Sequence, residues 1–235
     1  DRVSALRRRP DATAAWLCTA AGMSLLLVLG GAGGGSPLRL LDPILPAGAL
    51  ALLLRGRRRP APLRPRTPRR ALVLCAASAW IAGMMLELTL SADGDGLGGM
   101  HGDTRSSFLL AQGWYVPAAI ALPLLVRRLR LERERALLVG ATLALYESAL
   151  TAGPLLLSPA APVGLLVAAY ISAIYAAITC AGVLLVDPAT IWDERRPRAS
   201  RRRALACGAA TGVALWGAFM ASATVLDAVG ALPPA

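Results

Sequence analysis

The sequence contains no lysine and no asparagine, and all 25 of its basic residues are arginine. Without lysine no Schiff base can form, so the chain is neither a seven-helix retinal protein nor an enzyme that uses PLP or another lysine-bound intermediate. The P-loop of NTPases also requires a lysine, so ATP hydrolysis by that route is excluded. Codons for lysine and asparagine are rich in adenine, and their absence therefore indicates a GC-rich, bacterial genome.

Charged residues are scarce as well. They make up 17% of the 235 residues, whereas soluble domains carry roughly 25%. The apolar residues fall into seven runs, most of them close to the ~20 residues that cross a bilayer. The second run is the weakest, because it is short and contains Pro43 and Pro46. The sequence predicts an all-α polytopic membrane bundle, one transmembrane domain over 1–235, with spans at 13–30, 40–54, 71–91, 107–126, 136–157, 163–186 and 204–229.

The arginines are confined to alternate loops. Only Arg39 and Arg105 lie outside four segments that hold the other 23, namely 1–10, 55–70, 127–135 and 187–203. Because cytoplasmic loops are enriched in basic residues, this predicts a bacterial cytoplasmic (inner) membrane protein with its N-terminus inside and its C-terminus outside. No soluble segment is long enough to fold a basic face, so a nucleic-acid partner is not expected. The lipid bilayer is the expected partner.

The N-terminal apolar run is longer than the ~7–15 residues usual in a signal peptide, and no small-x-small cleavage site precedes the glycines at 31–35. We therefore expect an uncleaved first span. The chain begins at Asp1 rather than at methionine, so we also expect further residues to precede it.

Glu147 is the most unusual residue within a predicted span. It lies 11 residues into the fifth span, about 16 Å along a straight helix and thus near the bilayer midplane. Ser148 and Thr151 continue a small, polar stripe around it, and Tyr175 of the sixth span lies at a similar predicted depth. Two interpretations remain open: a neutral glutamic acid that clamps two helices, or a relay for protons or cations.

Acidic residues are also concentrated at the predicted outer surface. Glu87 and Asp227 lie near the outer ends of the third and seventh spans, and the loop at 92–106 adds three aspartates. Any one of these carboxylates is accounted for by ordinary solvation at a helix end. Together they predict an acidic outer mouth formed by Glu87, Asp93, Asp95, Asp103 and Asp227.

The same loop contains the only histidine. Asp93, Asp95 and Gly98 match the start of an EF-hand, but Leu97 and Thr104 replace two of its ligands, so a full EF-hand is excluded. A looser divalent-cation site that uses Glu87, Asp93, Asp95 and Asp103 remains an alternative. Another is a site for a softer metal such as Cu(I), because thioether and imidazole groups suit it. These metal hypotheses rest on Asp93, Asp95, Met100 and His101.

Signatures of enzymes are weak, and the cofactor, if any, is unknown. One histidine is too few for a multi-histidine zinc site, and no G-x-S-x-G motif occurs. The four cysteines contain no CxxC pair and lie toward the reducing side, so we predict that they are packing residues. Gly208 and Gly212 permit close helix packing, either within the chain or with another subunit.

Three functions are compatible with these features. The favoured hypothesis is a permease for a cation or a proton-coupled solute, with the acidic mouth outside and Glu147 as the coupling group. The first alternative is a non-catalytic subunit or assembly factor of a larger membrane complex, as a homo- or hetero-oligomer. The second is a lipid-acting enzyme with an outward-facing carboxylate site.

Overall fold

The computed structural model describes residues 12–29, 41–92 and 104–231. All regular secondary structure in these ranges is helical, which confirms the predicted fold class. The helices are α1 (Ala12–Leu29), α2 (Leu41–Arg58), α3 (Pro68–Ala92), α4 (Thr104–Leu129), α5 (Arg133–Leu143), α6 (Leu145–Leu156), α7 (Ala161–Leu185) and α8 (Arg201–Ala228), with a 3₁₀ turn at Pro188–Thr190.

Five of the helices are long and apolar enough to cross a membrane: α1, α3, α4, α7 and α8. The number becomes six if α5 and α6 are counted together as one broken span. α2 does not reach this standard, because Asp42 lies in its first turn and Arg55, Arg57 and Arg58 lie in its last. The chain is therefore a multi-pass membrane protein by length and composition. The count of seven spans and the orientation of the termini stay predictions.

α7 is the central helix of the bundle and packs against α1, α2, α3, α5 and α6. Gly182 permits its closest approach to α3, since a Cβ atom at this position would lie 2.2 Å from the Cα of Cys75. Cys75 and Cys180 are fully buried here, as predicted for packing residues. Cys18 is exposed, so the same prediction was wrong for that residue.

The fifth predicted span is broken rather than continuous. α5 and α6 are inclined to each other by 61° across Ala144. No proline or glycine lies at the break, but the Thr142 hydroxyl donates to the Val139 carbonyl (2.7 Å). Side chains that bond to the backbone in this way often bend helices. The straight-helix depth predicted for Glu147 therefore does not apply, because Glu147 lies beyond the bend in the first turn of α6.

The glycine pair of α8 contacts α5 within the same chain. A Cβ at Gly208 would lie 2.1 Å from the Thr142 hydroxyl, and one at Gly212 would lie 2.7 Å from the Thr142 carbonyl. The partner that the sequence left open is therefore internal. This contact places α8 directly against the C-terminal end of α5, beside the bend.

Three of the arginine-rich segments come together at one end of the bundle, here called the basic end (55–70, 127–135 and 187–203). Their backbones are hydrogen-bonded to one another and to α7: Leu63 donates to Leu185 (3.0 Å), Asp193 to Arg127 (3.1 Å), and Ala199 to Leu129 (3.1 Å). The shared location agrees with the alternation of basic loops on which the predicted topology depends.

Candidate functional site

Two glutamates from different helices come together inside the bundle. Glu87 of α3 is only 2% exposed, and Glu147 of α6 is partly buried. Their carboxyl groups are close enough to interact electrostatically. The sequence predicts Glu87 at the outer mouth and Glu147 at a separate midplane position. The bend at Ala144 precedes Glu147 and turns α6 away from the axis of α5, so that one site contains both acids.

Three tyrosines complete this group, here called the polar cluster (Glu87, Tyr115, Tyr146, Glu147 and Tyr175). Tyr115 on α4 and Tyr175 on α7 interact electrostatically with each other and with the two glutamates. Tyr146 lies beside Glu147 in α6 and stacks on Trp216 of α8, with ring centroids 4.2 Å apart. The cluster thus connects α3, α4, α6 and α7.

Gly83 of α3 makes room for the Tyr115 ring. A Cβ at this glycine would lie 2.4 Å from Tyr115 Cδ1, so any larger residue would displace the ring. Glu87 follows Gly83 by four residues and therefore lies on the same face of α3. The missing side chain at Gly83 thus allows Tyr115 and Glu87 to share one interhelical space.

Trp114 covers the cluster on its α4 side. Its ring meets Tyr115 and Tyr175 edge-on, with centroid distances of 5.1 Å and 4.8 Å. The residue is 2% exposed, and its indole N–H has no hydrogen-bond partner among the described residues. A buried, unpaired donor is energetically unfavourable and rare. The cluster therefore has a hydrogen-bond donor beside it that the packed side chains do not use.

The sequence predicts some members of the cluster but not others. Tyr175, which is predicted at a depth similar to that of Glu147, interacts electrostatically with Glu147 and with Tyr115. Trp114, Tyr115 and Tyr146 were not singled out. Their signal was present, because hydroxyl and indole groups within an apolar span need polar partners when buried.

The remaining members of the predicted polar stripe join α6 to α7 or face outward. Ser148 is buried and hydrogen-bonded to Ser172 of α7 (3.2 Å between the two Oγ atoms). Thr151 is exposed and lies outside the polar cluster. The Ser148–Ser172 bond, rather than a bond from Glu147, is the side-chain clamp between these helices.

The predicted acidic mouth is described only in part. Asp227 is exposed near the end of α8. Asp42 of α2 is buried and accepts a hydrogen bond from Thr89 of α3 (3.2 Å), so it connects two helix ends. Five residues of the predicted mouth and metal sites lie outside the described residues: Asp93, Asp95, Met100, His101 and Asp103.

A cavity opens at the basic end, with a volume of about 240 Å³. Its charged lining is already paired: Arg57 forms an ion pair with Glu134, and Arg133 donates to the backbone carbonyls of Gly56 (3.0 Å) and Val186 (3.4 Å). These contacts join the ends of α2, α5 and α7, which indicates a structural role for this lining.

Within the described ranges, no group of three or more His, Cys, Asp or Glu side chains is arranged to bind a metal ion. The chain matches no family model, no curated protein and no solved structure. Any function must therefore be argued from the polar cluster itself.

Proposed function

We propose that the protein is a small permease that couples the movement of a solute to a proton or a small cation at Glu87 and Glu147. The observation that carries the proposal is the convergence of these two carboxyl groups from different helices at a broken span. Ionisable residues within membrane spans are energetically costly and usually belong to ion or proton pathways. Two carboxyl groups that interact electrostatically exchange a proton or share a cation readily, because their like charges disfavour ionisation of both.

The broken span supports the same function. Secondary transporters commonly bind substrate and coupling ions where membrane helices are interrupted, because the freed backbone groups then become ligands. The C-terminal end of α5 carries the partial negative charge of its last carbonyls. It lies directly before Tyr146 and Glu147, so its partial negative charge favours a proton or a cation beside these side chains.

The tyrosines provide the path between helices. Tyr115 of α4 and Tyr175 of α7 interact electrostatically with each other and with both glutamates. A phenol can both donate and accept a hydrogen bond, so the two tyrosines provide polar groups that connect one helix to another. In this proposal the acidic mouth (Glu87, Asp93, Asp95, Asp103 and Asp227) gathers the cation, and Glu87 belongs to both the mouth and the coupling pair.

The proposal is tested by proton flux in reconstituted vesicles. A potassium diffusion potential drives protons inward, and an enclosed pH dye reports their entry. We expect Glu147→Gln and Glu87→Gln each to lower the flux by at least tenfold, because glutamine has nearly the same shape but cannot release a proton. This threshold lies below the ~10²–10⁴-fold that a general acid or base contributes to a rate.

The matched control is Glu194→Gln. Glu194 is exposed at the basic end and forms no ion pair with a described residue, so this variant should retain the flux of the unmodified protein. Equal flux in all three variants would remove the carboxyl pair from the mechanism. Co-purification of a stoichiometric partner, together with absent flux in the unmodified protein, would instead favour the subunit hypothesis.

A further inference from the structure

The basic end carries far more positive charge than its acids neutralise. Its five acidic residues are Glu132, Glu134, Asp187, Asp193 and Glu194. Three of these form ion pairs: Glu134 with Arg57, Asp193 with Arg196, and Glu132 with Arg198. Many exposed arginines of this end form no ion pair with a described residue: Arg55, Arg58, Arg59, Arg64, Arg66, Arg69, Arg70, Arg127, Arg128, Arg195, Arg201, Arg202 and Arg203.

Some of these arginines have an internal reason for their position. Arg55 and Arg58 lie in the last turn of α2, and Arg127 and Arg128 lie in the last turn of α4. A cation at the C-terminal end of a helix is stabilised by the partial negative charge of the free carbonyls. These arginines therefore stabilise the fold without any external partner.

The arginines at two helix starts lie at the positive end of the helix dipole. Arg69 and Arg70 lie in the first turn of α3, and Arg201, Arg202 and Arg203 begin α8. Neither helix has an acidic residue in its first turn. A helix N-terminus carries partial positive charge, so these side chains repel the helix on which they lie. Within the protein this arrangement is unfavourable, and an external anion would relieve it.

The backbone at these helix starts is also able to bind an anion. Thr67 and Ser200 each cap a single amide, accepting from Arg70 N and Arg203 N (3.3 Å in both cases). The first amides of a helix lack helical partners. Pro68 has no N–H, so α3 provides the Arg69 amide, whereas α8 provides the amides of Arg201 and Arg202. Phosphate groups bind to this combination of helix amides and arginine.

We infer that the basic end is a docking surface for the headgroups of anionic phospholipids, held mainly at the starts of α3 and α8. The charge surplus and the unfavourable position of these arginines identify an anion as the partner. Both helices are span-forming, so their first turns lie where a span enters the headgroup region. Juxtamembrane clusters of arginine attract anionic lipid for the same reason.

The test compares two double variants that remove the same charge. Arg69→Gln/Arg70→Gln changes a helix start, and Arg127→Gln/Arg128→Gln changes a helix end. The unfolding temperature of each is measured in micelles of a neutral detergent, with phosphatidylglycerol, phosphatidylcholine or inorganic phosphate added. Phosphatidylglycerol should raise the unfolding temperature of the unmodified protein. The helix-start variant should lose more than half of that gain, and the helix-end variant should keep more than half.

The two variants should also differ without anionic lipid. The helix-start variant should then unfold at the same temperature as the unmodified protein or higher, because it removes repulsion. The helix-end variant should unfold lower. Equal loss of the lipid effect in both variants would overturn the inference, because net charge alone would account for it. An equal gain from inorganic phosphate, or no gain from phosphatidylglycerol, would overturn it as well.

Discussion

Arg133 shows how a single side chain stabilises several helix ends. Its guanidinium donates to the carbonyls of Gly56 at the end of α2 (3.0 Å) and Val186 just after α7 (3.4 Å). Terminal carbonyls have no partner within their own helix. A glycine is required at position 56, because a Cβ there would lie 2.6 Å from Arg133 Nη1. One arginine at the start of α5 thus holds α2 and α7 in place.

We therefore predict that Arg133→Met lowers the free energy of unfolding by about 1.5–3 kcal/mol, the range for hydrogen bonds to charged groups. Arg133→Lys should lose part of this, because an ammonium lacks the planar fork that reaches two carbonyls. Denaturant unfolding in micelles, followed by circular dichroism, measures both changes. The control is Arg195→Met, which removes an exposed arginine that lies outside the helices and forms no ion pair with a described residue. Equal stability of the two methionine variants would contradict this role.

The contact between α8 and α5 depends on small residues, as the sequence predicted. We predict that Gly212→Ala destabilises the bundle by about 1–3 kcal/mol, the usual effect of overpacking, because the new methyl would lie 2.7 Å and 3.0 Å from the backbone oxygens of Thr142 and Leu143. Gly217→Ala on the same helix is the matched control, since no heavy atom lies within 4 Å of its Cβ position. The same unfolding experiment distinguishes the two variants.

The two glycines of this contact should differ in how they are rescued. The Cβ of Gly208→Ala would strike the Thr142 hydroxyl at 2.1 Å, which is a side-chain atom. Adding Thr142→Ala should therefore recover part of the stability lost by Gly208→Ala, but none of that lost by Gly212→Ala. Recovery of both would show that the backbone of α5 moves freely here, contrary to the close packing described.

Helix positions followed from hydropathy, whereas the bend did not. The predicted spans 71–91, 107–126 and 204–229 lie within or almost within helices that begin up to three residues earlier, at Pro68, Thr104 and Arg201. Hydropathy detects the apolar part of a helix, and the polar turn beyond it stays helical. The break at Ala144 has no proline or glycine to indicate it, and it lies beside the contact with α8. The Thr142 hydroxyl bond does not indicate it either, because similar bonds at Thr179 and Thr211 leave α7 and α8 continuous.

At the scale of the whole molecule, the site was also predictable only in part, because it depends on tertiary packing. The sequence identified Glu87, Glu147 and Tyr175 as separate polar residues, because each interrupts an apolar run. It did not bring the two acids together, since their meeting depends on the bend of α5–α6 and on Gly83. It also passed over Tyr115 and Trp114, whose polar atoms are small parts of largely apolar side chains. The presence of polar residues within apolar spans was predictable from the sequence, but the meeting of the two glutamates in one site was not.

The two ends of the bundle are clearly separated. α7 has 25 residues and α8 has 28, so they extend about 37 Å and 42 Å at 1.5 Å per residue. Both contact the basic end, α7 through Leu185 and α8 through Ala199 just before its start. Ala160 and Val229, beyond their other ends, must therefore lie at the opposite end. If basic loops face the cytoplasm, these two positions are extracytoplasmic.

We predict that a cysteine replacing Ala160 or Val229 reacts with a membrane-impermeant maleimide in intact cells, whereas one replacing Pro60 reacts only after permeabilisation. The background needs only Cys18 and Cys207 replaced, because the other two native cysteines are buried. Labelling of position 60 from outside would contradict the orientation of the whole bundle. Labelling of 160 but not 229 would place the C-terminus inside instead, and α8 would then not complete a crossing.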